Sequence, residues 1–127
     1  MGDIITFSCK KCGYEMKAPV GVGLASFNPT VIGELLHGEE REEWKTLSDK
    51  GVLERCLGEQ VMASCEHCGG LSNIYCVSGQ TAERKYLWGN KCPQCGRELT
   101  LLKDIQAITC PACAGSLLDA KRTGLWD

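Results

Sequence analysis

Four Cys-x-x-Cys pairs account for eight of the ten cysteines in this chain of 127 residues. Two intervening residues let the backbone curl so that both sulfurs reach one metal ion at about 2.3 Å. In three pairs a glycine follows the second cysteine and permits a left-handed turn there. Four pairs supply two closed four-thiolate sites, for which zinc is the expected metal, two ions per chain, with iron the less favoured choice. The predicted ligands are Cys9, Cys12, Cys65, Cys68, Cys92, Cys95, Cys110 and Cys113.

The remaining composition indicates that the core is small. Aromatic residues make up only 6% of the chain, and 10 of the residues counted as hydrophobic are cysteines. A chain of this length holds one domain or two very small ones, and half of it alone would need a metal or a similar cross-link to fold. The metal ions are therefore expected to have a structural role.

The assignment of pairs to sites follows from the lengths of the connections. Strand-like runs at 98–102 and 105–109, separated by a turn, predict a hairpin that brings the third and fourth pairs together. The first and second pairs then share the other ion, and a long loop between them adds little closure entropy. This sequential arrangement is the prediction, with interleaved and nested arrangements as the alternatives. Its two sites are Cys9, Cys12, Cys65 and Cys68, and Cys92, Cys95, Cys110 and Cys113.

Helical signals are confined to residues 21–58. Asn28-Pro29 is a helix start, and the apolar residues that follow form one face. A second helix is expected from Glu39 to about Lys50, and residues 52–57 could add one more turn. The other strand-like runs are 60–64, 71–77 and 84–88, after a short strand pattern around the first pair.

The knuckles resemble those of the zinc-ribbon and rubredoxin-like fold group. Residues Cys9 to Tyr14 are similar to the Cys-x-x-Cys-Gly-Tyr knuckle of iron-binding rubredoxins, and Cys92 to Gly96 to their Cys-Pro-x-Cys-Gly knuckle. The similarity covers the four knuckles and their flanking strands, not residues 21–58. It implies a small metal-bound, mainly β fold of two zinc-ribbon-like units, and the short helical insertion makes the fold α+β.

This resemblance gives the expected domain organisation. Residues 1–78 form one zinc-ribbon-like unit, split by a helical insertion at 28–58, and residues 79–127 form a C-terminal zinc ribbon. The two units are expected to make one compact body.

No catalytic or cofactor-binding residue is predicted. Cys56 and Cys76 stand outside the pairs and are interpreted as small buried hydrophobic residues. The two histidines, His37 and His67, provide no suitable base for a catalytic thiol, and His67 lies inside a knuckle, where the middle positions point outward. Four-cysteine sites leave no open position on the metal, so the chain is not expected to be an enzyme.

The leading functional hypothesis is a zinc-binding structural or adaptor module that contacts other macromolecules. A rubredoxin-like iron electron carrier, a nucleic-acid-binding zinc ribbon and a redox switch that releases zinc are the alternatives. A protein partner is favoured because the net charge of −2 disfavours non-specific nucleic-acid binding. The one basic patch that could contact nucleic acid comprises Arg84, Lys85, Lys91 and Arg97.

The first residues of the chain carry no basic segment followed by a long apolar run. Neither a signal peptide nor a membrane span is therefore expected, and a cytoplasmic location is predicted. In that reducing compartment, cysteine pairs bind metals more often than they form disulfides.

Overall fold

The computed structural model describes residues 2–23 and 29–126, which form a small, mainly β structure with two sheets and two short helices. The strands are β1 Gly2–Ser8, β2 Glu15–Val20, β3 Arg55–Ser64, β4 Leu71–Gln80, β5 Lys85–Trp88, β6 Thr100–Leu102 and β7 Asp119–Trp126. The helices are α1 Pro29–Leu35 and α2 Gly38–Asp49, and a 3-10 turn covers Ile105–Ala107.

The first sheet joins strands from the two ends of the sequence, in the antiparallel order β2-β1-β7. Phe7 in the central strand is opposite Met16 on one side and Ala120 on the other. Alternation along β1 turns Ile5 and Phe7 towards the core, where both are buried. Through this sheet, the segments that carry the first and the last Cys pair lie next to each other.

The second sheet has the antiparallel order β5-β4-β3-β6 and is built on the long hairpin β3–β4. Its short edge strand β6 pairs with β3, where Leu101 is opposite Ala63. The two sheets share a core, because Met62 of β3 packs in one buried cluster with Ile5 and Phe7 of β1.

The two helices cover one end of the second sheet. Ile32, Leu36 and Trp44 pack with Val77 and Trp88 in a cluster that contains no knuckle cysteine. The helix α2 is also held by its carboxylates. Glu43 accepts a hydrogen bond from the Trp88 indole at 2.8 Å, and Glu40 accepts one from the Gly89 amide at 3.1 Å.

Both predicted helices are present. The expected cap at Asn28 lies outside the described residues. The predicted extra turn at 52–57 is wrong, because β3 begins at Arg55 and there pairs with Gln80. Cys56 therefore lies on a strand, half-buried, and its sulfur is 3.4 Å from the Trp44 indole nitrogen.

The strand predicted at 105–109 is also wrong. Asp104 accepts a hydrogen bond from the Gln106 amide at 3.0 Å and so starts the 3-10 turn. Residues 98–102 and 105–109 consequently do not form a hairpin, and β6 pairs with β3 instead. The strand β7 had not been predicted.

The division into units 1–78 and 79–127 stays a prediction, and β4 runs across residues 78 and 79. No helix in the described ranges is long and apolar enough to cross a membrane.

Candidate metal centres

Each Cys-x-x-Cys pair is folded as a tight knuckle with two backbone hydrogen bonds. In each knuckle, the carbonyl of the first cysteine accepts a hydrogen bond from the amide of the residue four positions later. The amide of the same cysteine donates a hydrogen bond to a carbonyl five or six positions later. The carbonyl contacts are Gly13 to Cys9 at 2.9 Å, Gly69 to Cys65 at 2.7 Å, Gly96 to Cys92 at 2.9 Å and Ala114 to Cys110 at 2.9 Å. The spacing of the sequence thus produces the same local turn four times.

The residue after the second cysteine has a positive φ in all four knuckles. The angles are 80° at Gly13, 72° at Gly69, 75° at Gly96 and 52° at Ala114. Glycine adopts this left-handed conformation without strain, which explains its position in three knuckles. In the fourth knuckle alanine adopts it, and the closing bond runs from the Cys110 amide to Ser116, six residues on, at 2.9 Å. The fourth knuckle is therefore one residue longer than the others.

The eight paired cysteines lie in two groups of four. The terminal centre consists of Cys9, Cys12, Cys110 and Cys113, and the inner centre of Cys65, Cys68, Cys92 and Cys95. Within each group all sulfurs lie within 4.8 Å of one another. Each group could hold one metal ion, so the chain could hold two.

This grouping corrects the sequential arrangement predicted from the connections. The nested alternative is the one observed: the first knuckle meets the fourth, and the second meets the third. The pairing of β1 with β7 brings Cys9 and Cys110 together. The second knuckle, which begins at Cys65, forms the turn between β3 and β4. The hairpin on which the prediction depended does not form.

Two sulfur–sulfur separations in each centre are close to those of a tetrahedral four-thiolate site. Four sulfurs placed tetrahedrally at 2.3 Å from one ion would be about 3.8 Å apart. In the terminal centre, Cys9 and Cys113 are separated by 3.7 Å and Cys12 and Cys110 by 3.6 Å. In the inner centre, the corresponding separations are 3.6 Å for Cys65 and Cys95 and 4.0 Å for Cys68 and Cys92. All eight thiols are free of disulfide bonds. Sulfur donors of this kind suit zinc and iron alike.

Hydrogen bonds to sulfur prepare some of these thiols for metal binding. The Ser116 hydroxyl, followed by the Cys12 amide, lowers the pKa of Cys9 to about 6. The amides of Cys95 and Gln94 lower the pKa of Cys92 to about 7. By contrast, the neighbouring Cys95 thiol and burial raise the pKa of Cys68 to about 12. A metal ion bound here would supply the positive charge that the crowded sulfurs need in order to lose their remaining protons.

We expect the metal affinity of the chain to rise with pH. At pH 7.5 Cys9 is a thiolate and Cys68 is a thiol, so metal binding must release protons. Affinity then rises about tenfold per pH unit for each proton released, and more steeply below pH 6, where Cys9 is protonated as well. Competition with a chelator of known proton affinity, from pH 5 to pH 8, measures this slope. A constant affinity over that range would contradict the assignment of these thiols as ligands.

Ser116 lies beside the terminal centre, although it is not part of any Cys-x-x-Cys motif. Its Oγ lies 3.2 Å from the Cys9 sulfur. The extra residue in the fourth knuckle places it there, and the absence of glycine after Cys113 was the one signal in the sequence that this knuckle differs.

The other cysteines and the histidines do not join a centre. Cys76 is buried, as predicted, and burial together with Glu59 and Glu40 raises the pKa of its thiol to about 11. His67 is exposed, as expected for the middle of a knuckle, and His37 is the exposed residue before α2.

The four cations proposed for nucleic-acid contact are exposed, and two of them contact neighbouring side chains. The Arg84 guanidinium lies 4.3 Å above the Tyr86 ring, and the Lys91 ammonium is 3.8 Å from the Glu98 carboxylate. The role of these two cations, and of Lys85 and Arg97, in binding nucleic acid stays a prediction.

Comparison with known proteins gives no relative from which a function could be transferred. No family model, curated protein or solved structure matches this chain. The interpretation therefore depends on the two groups of four cysteines and the fold that forms them.

Proposed function

We propose that this protein is a non-catalytic module whose binding surface is held in shape by two zinc ions. The proposal depends on the two groups of four sulfurs. Within each group, sulfurs from different knuckles are 3.6 to 4.0 Å apart, close to the separation in a tetrahedral site. Zinc bound by four cysteines is structural, because no coordination position stays open for water or substrate.

The relation between the centres and the core supports a structural role. Cys9 and Cys110 are part of the cluster around Phe7, and Cys65 and Cys92 belong to a cluster with Ala63 and Leu99. Each metal ion would therefore join knuckles that also anchor buried side chains. The binding energy of the metal would then stabilise the fold directly.

Interaction with another macromolecule is the use that we propose for this scaffold, and a protein is the favoured partner. The net charge of −2 supports that choice. Basic residues that neutralise phosphates dominate the affinity of nucleic-acid-binding proteins. In this protein, two of the candidate basic residues, Arg84 and Lys91, already contact neighbouring side chains.

Iron is the second candidate for the centres, because a set of four thiolates also binds iron. The two knuckles with rubredoxin-like sequences, at Cys9 and at Cys92, lie in different centres. They do not face each other across one ion as they would in a rubredoxin. We therefore favour zinc and a binding role over electron transfer.

Native mass spectrometry with elemental analysis tests the proposal. We expect two zinc ions per chain in colourless protein purified without added metal. Red protein that contains iron and exchanges electrons reversibly would support the carrier instead. A chain that binds no metal after incubation with zinc under reducing conditions would overturn both.

A further inference from the structure

The two centres are equal in exposure but differ in the groups that contact their sulfurs. Each contains two buried cysteines, one exposed cysteine and one half-buried cysteine. Access of solvent therefore gives no reason for one centre to hold its metal more tightly than the other. The difference lies in the hydrogen-bond donors around the sulfurs.

The terminal centre has a hydroxyl donor. Ser116 is half-buried, and its Oγ lies 3.2 Å from the sulfur of the buried Cys9. The two residues come from opposite ends of the sequence, so this contact joins the fourth knuckle to the first. In the described part of the chain, no hydroxyl lies at a comparable distance from a sulfur of the inner centre, where Cys65 accepts from the Cys68 amide at 3.3 Å.

Charged residues lie near both centres. At the terminal centre Lys10 is paired with Asp119 at 3.3 Å, and at the inner centre Lys91 and Arg97 flank the third knuckle. The two residues between the cysteines of the first knuckle are Lys10 and Lys11, whereas the corresponding residues of the second knuckle are Glu66 and His67. The Lys11 ammonium lies close to Gly115 in the fourth knuckle. A Cβ atom added to this glycine would be only 2.5 Å from the Lys11 nitrogen. A divalent ion bound by four thiolates has a net charge of about −2. Nearby cations stabilise that charge and nearby carboxylates destabilise it, and both kinds are present at the inner centre. The Ser116 hydroxyl is therefore the feature that distinguishes the terminal centre.

We propose that the terminal centre holds its metal more tightly than the inner centre, and that Ser116 is the positioning residue that stabilises the Cys9 thiolate. The inference rests on the proposed function, because it requires both centres to bind metal. The inner centre then loses or exchanges its metal first, while the terminal centre keeps the ends of the chain together. Hydrogen bonds to metal ligands typically change metal affinity by about 10- to 100-fold.

Metal loss from the zinc-loaded chain in the presence of a chelator tests whether the terminal centre holds its metal more tightly than the inner centre. Cysteines released by an excess of EDTA are trapped with N-ethylmaleimide, and peptide mass spectrometry identifies them. We expect the inner cysteines to be labelled at least tenfold faster than the terminal ones. Equal rates, or faster labelling of the terminal cysteines, would overturn the inference.

The role of Ser116 is tested by substitution. Ser116→Ala should speed labelling of the terminal cysteines by about tenfold or more and leave the inner rate unchanged. Ser116→Thr, which keeps a hydroxyl, should restore the original rate. Ser78→Ala is the matched control, since its Oγ contacts a backbone carbonyl, that of Leu57, at 3.4 Å. An alanine variant with unchanged terminal labelling would refute the assignment.

A spectroscopic measurement separates stabilisation of the thiolate from a general loosening of the fold. In cobalt-substituted protein, loss of the hydrogen bond increases electron density on the Cys9 sulfur. Ser116→Ala should therefore shift part of the sulfur-to-cobalt charge-transfer absorption to lower energy, and Ser116→Thr should not. An unshifted band in the alanine variant would overturn the positioning role. Protein without metal in native mass spectrometry would overturn the proposed function itself, and its cysteines would be labelled without chelator.

Discussion

Replacing Cys110 with serine should reduce the metal content from two ions to one and release Cys9, Cys12 and Cys113 to alkylation. Cys110 shares a group with these three residues, so its loss leaves the terminal centre with three sulfurs. The inner centre keeps all four of its sulfurs and should stay protected. Native mass spectrometry gives the metal count, and peptide mapping after alkylation identifies the released thiols.

The same experiment distinguishes the nested arrangement from the sequential one. In a sequential arrangement, Cys110→Ser would release Cys92 and Cys95, and that result would contradict the observed grouping. Cys56→Ser is the matched control, because Cys56 is half-buried and lies in neither group. This control should keep two metal ions. Its serine hydroxyl can still accept the hydrogen bond from the Trp44 indole.

Removal of both metal ions should unfold the chain. Structural zinc contributes on the order of 10 kcal/mol or more per site, whereas the net stability of a folded protein is about 5–15 kcal/mol. The clusters around Phe7 and Ala63 contain knuckle cysteines and should lose their packing first. Far-UV circular dichroism should show loss of the β signal on addition of EDTA under reducing conditions, and added zinc should restore it.

Tryptophan fluorescence shows how far this unfolding spreads. Trp44 and Trp88 are both buried in the cluster beneath the helices, which contains no knuckle cysteine. Because β4 and β5 supply residues to this cluster, we expect unfolding of the sheet to expose both indoles and move their emission to longer wavelength. EDTA saturated with zinc beforehand is the control. A metal-free chain with unchanged circular dichroism and emission would show that the metal ions are not structural.

Features that depend on neighbouring residues could be predicted from the sequence. The Cys-x-x-Cys-Gly spacing predicts each knuckle, because two residues between the cysteines and a left-handed residue after them suffice to form the turn. The helices α1 and α2 are likewise set by local signals, such as Pro29 at the start of α1 and Gly51 after α2.

The arrangement of the knuckles could not be predicted in the same way, because it depends on contacts distant in sequence. The strand β6 contains apolar residues that suit more than one partner, and in the structure it pairs with β3, where Leu101 is opposite Ala63. The Asp104 side chain converts the expected next strand into a 3-10 turn. The pattern of β7 contains Lys121, Arg122 and Thr123, exposed residues that hide its pairing with β1.

The nested arrangement sets an order of assembly on the ribosome. Cys68 and Cys92 are 24 positions apart, so the inner centre has all its sulfurs soon after the third knuckle is made. Cys12 and Cys110 are 98 positions apart, so the terminal centre has only two of its four sulfurs while the residues between them are made. In a nascent chain the inner group of four sulfurs is therefore complete first, and the first knuckle lacks its two partner sulfurs until the fourth knuckle emerges.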